Sequence, residues 1–168
     1  MKTNLEQYLK EDHGIFKKDI DPDVLTISDT LISNGYQAFV VGGCIRDMLL
    51  GKTPKDFDIA TDASPPEICK LFNKAKIIGR RFKIVHVYTS ERKYFEVTTF
   101  RSDVKKKTNE KKFKKIQGMI KRDNVYGSIS QDAFRRDFTI NSLYLDLDSE
   151  ILHDYVNGLD DIKNKKLR

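Results

Sequence analysis

Residues 51–62 read GKTPKDFDIATD, a Gly-Lys-Thr-Pro turn followed by two aspartates one residue apart, Asp56 and Asp58. After the turn, Asp-Phe-Asp-Ile-Ala alternates polar and apolar, the pattern of a strand, on which residues two apart point the same way. Asp56 and Asp58 are therefore expected on one face, with Phe57 and Ile59 entering the core. Two carboxylates that close repel each other unless something positive sits between them. Such a pair suits a hard divalent cation, and Mg²⁺ commonly keeps some waters and adds substrate phosphates. Taken alone, Asp-x-Asp is equally compatible with a solvated turn.

Working outward, a third acid comes into range. In YFEVTTF the alternation places Glu96 with Tyr94 and Thr98 on one face, opposite Phe95 and Val97. A neighbouring strand would bring Glu96 beside the aspartate pair, whereas an unpaired one would leave it facing solvent. Upstream, VGGCIRD follows the apolar run QAFVV (37–41). Gly42 and Gly43 allow close backbone approach to a phosphate, and Arg46 adds a planar fork suited to phosphate oxygens. A plain strand-to-helix turn is the commoner cause of this pattern. Two simpler explanations of the acidic stretch fail. The spacing of Asp56, Asp58, Asp62 and Glu67 imitates an EF-hand loop, but Thr61 stands where glycine is required and Pro65-Pro66 break the loop. Gly51-Lys52-Thr53 imitates the end of a P-loop, but Arg46 stands where its first glycine belongs and the helix precedes rather than follows.

The 168 residues, 39% hydrophobic and 33% charged, suffice for one domain with a core. The longest apolar runs, such as Ala38–Val41, are far too short to span a bilayer. Cys44 and Cys69 lack metal-site spacing and suit a reducing compartment at least as well as a disulfide. Residues 1–20, with Glu6, Glu11 and Asp12 and no apolar targeting core, read as a loose N-terminal leader. Asp21-Pro22 caps and opens a helix with Val24, Leu25, Ile27, Leu31 and Ile32 as its buried stripe, stopped by Gly35. A helix over CIRDMLLG, a second after Ser64, a third capped by Ser130 over QDAFRRD, and a hairpin turned at Asp148-Ser149 complete the reading. Strands in consecutive runs outnumber helices, which predicts an α+β fold with a mixed sheet flanked by helices.

Charge is concentrated. Residues 102–122 carry nine Lys/Arg against two acids, a local +7 within a chain of net +6, so the remainder sits near −1. That run reads as a polyphosphate or nucleic-acid contact or as a solvated loop. It contains only Phe113 among aromatics, a poor composition for a generic RNA-stacking module. Arg135-Arg136-Asp137 is ambiguous between a pocket and a surface salt-bridge cluster. His86, in an apolar alternating strand, reads as structural.

In order, Gly42-Gly43-x-x-Arg46-Asp47, Leu49-Leu50-Gly51-Lys52-x-Pro54-x-Asp56-x-Asp58, FEVTTFR and RRDFTINSLY (135–144) resemble the catalytic head of class II nucleotidyltransferases. These are the bacterial poly(A) polymerases and CCA-adding enzymes of the DNA polymerase β-like superfamily. The resemblance runs from residue 21 to residue 168, and IIGRRFKIVHV and RDNVYGSISQDAFRRDFTINSLY look more like poly(A) polymerase. It implies a head domain over 21–168, with the neck and body of the family, including the neck's Glu-Asp-x-x-Arg element, unmatched in these residues. It implies transfer of AMP from ATP to RNA 3′-hydroxyls, with CCA or A addition to tRNA as the alternative, and a non-catalytic nucleotide- or RNA-binding head as the rival of another class. By the same resemblance Asp56 and Asp58 hold two Mg²⁺ ions, with Glu96 as a third ligand. Asp137 is then a competing catalytic acid favoured for the ribose, and Gly42, Gly43, Arg46, Arg135, Arg136 and Asn141 line the nucleotide pocket. Lys105, Lys106, Lys107, Lys111 and Lys112 would steer RNA. The location implied is the bacterial cytoplasm.

Overall fold

Strand β2 (Ala38–Val41) is buried along its whole length and forms the middle of the sheet. Its neighbours follow from alternation. Ala38 and Val40 turn to one core, and Phe39 and Val41 to the other. The computed structural model describes residues 5–80, 82–89, 93–102 and 126–168. Among them eight strands form one mixed sheet. These are β1 (Glu6–Tyr8), β2, β3 (Asp58–Thr61), β4 (Ala75–Ile78), β5 (Ile84–Tyr88), β6 (Tyr94–Thr99), β7 (Leu143–Asp146) and β8 (Leu152–Asp154). Their order is β1-β8-β7-β2-β3-β6-β5-β4, with β3 and β6 parallel and the other pairs antiparallel. The α+β class with a mixed sheet flanked by helices is thus the observed one.

The larger core lies on one face of the sheet. After the short α1 (Lys10–His13), α2 (Pro22–Ser33), α3 (Gly43–Leu49) and α4 (Pro65–Leu71) bury Val24, Ile27, Leu31, Ile45 and Ile68 there against Val40, Ile59, Val85 and Val97. Asp21 caps α2 through the Asp23 N–H at 3.0 Å, and Pro22 opens it, as the sequence leads one to expect. Glu67 Oε2 closes the start of α4 by accepting from the Ser64 N–H and hydroxyl at 2.7 and 2.6 Å. A smaller cluster, Phe39, Val41, Ala60, Phe100, Ala133 and Tyr144, lies on the opposite face under α5 (Ile129–Phe134).

Three expectations are corrected. Residues 5–20 are not loose: β1 pairs with β8, Ile15 and Ile20 are core residues, and buried His13 bonds the Glu150 carbonyl at 3.1 Å. Apolar residues there are sparse, and the edge strand is held by backbone pairing, which leaves little sequence pattern. Helix α5 is capped by Ser128, whose Oγ accepts from Gln131 N–H, rather than by Ser130, and it stops before the arginines. The strand after the Gly-Lys-Thr-Pro turn begins at Asp58, with Asp56 and Phe57 leading into it. A further helix, α6 (Gly158–Lys163), is seated on β8 by Asp154, which accepts from the Val156, Gly158 and Leu159 N–H groups.

Candidate active site

Register aligns one residue from every strand into a single row: Lys76, His86, Glu96, Asp58, Val41, Tyr144, His153 and Gln7. Side chains directly opposite on paired strands share a face. Asp58 and Glu96 therefore stand side by side on the face that α5 covers only in part, with Asp56 exposed on the approach to β3. The parallel pairing of β3 and β6 converts two separate acidic motifs into one patch.

The electrostatics agree with that proximity. Burial raises the Asp58 pKa above its ordinary value, the negative charges of Glu96 and Asp56 raise it further, and Arg136 opposes them. A group of hard oxygens held in mutual repulsion is the donor chemistry that a divalent cation relieves. Among the described residues no three His, Cys, Asp or Glu side chains are gathered into a ready cation cage. The donor types fit Mg²⁺, and the carboxylates stand at neighbouring positions rather than closed on one point.

Gly42 lies against this patch. Its φ of 92° and ψ of −145° belong to glycine, and a Cβ there would stand 3.4 Å from Asp58 Oδ2 and 3.9 Å from Arg136 Nη1. Gly43 faces the second cationic group, because a Cβ on it would meet Arg46 Nη2 at 3.3 Å. Arg46 is clamped: Nε and Nη2 donate to Asp47 Oδ1 at 3.0 and 2.8 Å, and Nη1 donates to Asn141 Oδ1 at 2.8 Å. Asn141, on the 3₁₀ turn Thr139–Asn141, thus joins Arg46 although 95 residues separate them.

Arg135 and Arg136 are not a loose surface cluster. Both converge on Asp132, which is 1% exposed. Arg135 Nε donates to Oδ1 at 2.9 Å, and Arg136 Nη2 and Nε donate to Oδ2 at 3.2 and 3.3 Å. The Arg101 N–H and the Tyr144 hydroxyl also donate to this carboxylate, at 3.0 and 2.7 Å. Asp132 therefore aims the Arg136 guanidinium towards Gly42 and Asp58. Asp132 was not singled out from sequence, and Asp47 stood in the Gly-Gly-x-x-Arg-Asp motif without a role. The signal for Asp132 was its spacing three and four residues before Arg135 and Arg136 on a helix. Asp137 is exposed, and its Oδ1 accepts from the Phe138 N–H at 3.0 Å, so it is tied to its own turn. Lys105, Lys106, Lys107, Lys111 and Lys112 lie outside the described residues.

The mixed sheet thus presents neighbouring acids beside a glycine turn and two oriented guanidinium groups. The chain belongs to the poly A polymerase head domain family, which matches residues 38–168. It is 46% identical over 156 residues to poly(A) polymerase I of Haemophilus influenzae, covering 92% of this chain and 34% of that protein. It is 40% identical over 146 residues to the CCA-adding enzyme of Oceanobacillus iheyensis, covering 84% of this chain and 33% of that protein. Among solved structures, the Bacillus stearothermophilus CCA-adding enzyme in complex with CTP superposes with a TM-score of 0.71 at 31% identity, over 89% of this chain and 34% of that one. The chain thus spans about a third of the length of the curated relatives it matches. Among the described residues, no helix is long and apolar enough to cross a membrane.

Proposed function

We propose that this chain is the catalytic head of an RNA 3′-end nucleotidyltransferase that transfers AMP from ATP to an RNA 3′-hydroxyl and releases pyrophosphate. The observation that carries the proposal is the register of Asp58 opposite Glu96, with Gly42 and Arg136 against Asp58. Asp56, Asp58 and Glu96 would hold two Mg²⁺ ions, which when bound lower the pKa of the attacking hydroxyl and neutralise charge on the triphosphate. Gly42 and Gly43 let the phosphates approach the backbone. Arg46, oriented by Asp47 and Asn141, and Arg136, oriented by Asp132, supply fixed positive charge to them. Arg135 completes the pocket, and Asp137, exposed beside it, is assigned to the ribose. The site residues of this head lie within residues 21–168, on a sheet to which Glu6–Tyr8 add the edge strand. The bacterial cytoplasm is the compartment this reading implies.

The preference for AMP addition rests on the higher identity to poly(A) polymerase I, at 46%, than to the CCA-adding enzyme of O. iheyensis, at 40%. CCA addition to tRNA is kept as a second reading because the solved structure that aligns over 89% of the chain is a CCA-adding enzyme in complex with CTP. The test is incubation with Mg²⁺, an unstructured RNA or a tRNA lacking CCA, and each nucleotide separately, beside Asp58→Ala. An adenosine ladder on the unstructured RNA, absent in the variant, is the expected result. Addition confined to the tRNA selects the second reading. Binding of ATP and RNA without addition to either would mean a head that binds without turnover.

A further inference from the structure

Three aromatic rings stand on the same sheet face as Glu96, two on β5 and one on β6 itself. Alternation sends Val85, Val87, Phe95 and Val97 into the core, which leaves His86, Tyr88, Tyr94 and Glu96 outward. Register then pairs His86 with Glu96 and Tyr88 with Tyr94. The His86 and Tyr94 rings stack at 4.1 Å with planes 10° apart, and the Tyr88 ring lies 5.8 Å from Tyr94. His86 Nε2 is also 3.5 Å from Glu96 Oε1, which ties the stack to the acidic patch. This is not a buried cluster: Tyr94 is 48% and Tyr88 37% exposed.

Strand β4 and the turn before it add positive charge to the same surface. Lys76 is in register with His86, and Lys74 accepts the Tyr88 N–H at its carbonyl at 2.8 Å. Both lysines are exposed and two residues apart, so they border the rings on one side while Glu96 borders them on the other. Aromatic rings interleaved with lysines form a surface that stacks bases of single-stranded nucleic acid and meets its phosphates. At the spacing of adjacent strands, ~4.8 Å, His86 lies one strand from Glu96 and two from Asp58. Tyr94 stands two residues from Glu96 on β6, so the stack lies within a nucleotide's reach of the acids.

We propose that Tyr94, backed by His86 and flanked by Tyr88, is a stacking platform for the 3′-terminal bases of a single-stranded RNA acceptor, with Lys74 and Lys76 meeting its phosphates. The proposal rests on the reading of Asp58 and Glu96 as the reaction centre. Every base has a π face, so the platform accepts any terminal base, and it requires that base to be unpaired.

The test uses the whole chain and a short oligoadenylate carrying 2-aminopurine at its 3′ end, with a blunt duplex of the same length as comparison. Binding by anisotropy and quenching of 2-aminopurine are read together. The wild type should prefer the single strand and quench the terminal fluorophore. Tyr94→Ala should weaken binding about tenfold, the scale of one base–aromatic stack, and lose the quenching, while Tyr94→Phe retains both. Tyr88→Ala serves as a second variant at an exposed site. Wild-type affinity and quenching in a Tyr88→Ala, Tyr94→Ala double variant would overturn the platform, as would equal affinity for the duplex or no binding of the single strand. Nucleotide addition by the same samples reports separately on the reaction centre. Platform-dependent quenching without addition keeps the platform and counts against the proposed reaction. Addition with quenching unchanged in the variants does the reverse.

Discussion

The Tyr144 hydroxyl donates to Asp132 Oδ2 at 2.7 Å, inside a shell in which Arg136 donates to the same oxygen and Arg135 to its twin. The phenol belongs to the sheet row that contains Asp58, and the carboxylate belongs to α5. This contact fixes α5, which the two arginines follow, against β7, two strands from the β3 strand that carries Asp58. Removing the charge would leave two guanidinium groups facing a neutral site, so Asp132→Ala should destabilise the fold by about 3 kcal/mol in urea unfolding.

Acid sensitivity follows from the same group. Burial works against ionisation of Asp132, but Arg136, Arg135, the Tyr144 hydroxyl and the Arg101 N–H outweigh it, so its pKa lies below the ordinary value. A carboxyl depressed on folding binds protons more readily in the unfolded chain. Its contribution is therefore complete above about pH 3.9 and is lost as pH falls through the lower folded value. Urea midpoints should fall more steeply for the wild type than for Asp132→Asn as pH drops below about 3.9. Parallel curves would mean that Asp132 is not the group being titrated.

Gly42→Ala should be costly in two ways. The backbone at φ 92° and ψ −145° is strained for any L side chain, about 1–3 kcal/mol, and the new Cβ points at Asp58 Oδ2. A lower Tm together with weaker ATP binding in calorimetry is expected. Loss of stability with full ATP affinity would detach the turn from the phosphate site.

How much of this was legible in sequence depends on the range of each signal. Helix α2 was legible because Asp21-Pro22 and Gly35 mark its ends locally and its apolar stripe is regular. Asp58 and Glu96 were legible as strand residues whose outward face followed from alternation, whereas Asp56 lies before β3 rather than on it. Their meeting was not, because the parallel pairing of β3 with β6 is set by the crossover through α4, β4 and β5, which no local pattern encodes. The same holds for the platform, since His86, Tyr88 and Tyr94 are ordinary strand residues until the hairpin stacks them and β4 brings Lys74 and Lys76 alongside. Asp132 was visible as a helical spacing, but its burial depends on Tyr144 and Arg101 arriving from elsewhere.

Relief of repulsion at the acidic patch gives a signature independent of turnover. Asp58→Asn removes a half-buried charge pressed by Glu96 and Asp56, so without divalent ions the variant should be more stable by ~1 kcal/mol. Mg²⁺ should raise the Tm of the wild type by binding the folded state and leave that of Asp58→Asn unmoved. Equal Mg²⁺ shifts in the two proteins would place the cation elsewhere.

Arg46 tests orientation rather than charge. Its fork engages Asp47 and Asn141 at once, which a lysine ammonium on a flexible stem does not reproduce. Arg46→Lys should weaken ATP binding about tenfold, within the range for charged hydrogen bonds. Asn141→Ala, which frees Nη1 alone, should lose less. An Arg46→Lys variant with wild-type ATP affinity would assign the phosphates to Arg136 instead.

The lysine run provides a prediction based on charge alone, since residues 103–125 lie outside the described structure. Each phosphate contact that releases a counterion from a single strand adds about 0.7 to the slope of log K against log salt. Replacing Lys105, Lys106, Lys107, Lys111 and Lys112 with Gln removes five charges from a segment holding nine Lys/Arg. RNA affinity at low salt should fall and the slope should flatten, while ATP affinity at the Gly42–Arg136 site should hold. A slope equal to that of the wild type would mean that the run is a solvated loop, leaving Lys74 and Lys76 to carry the contact with the acceptor.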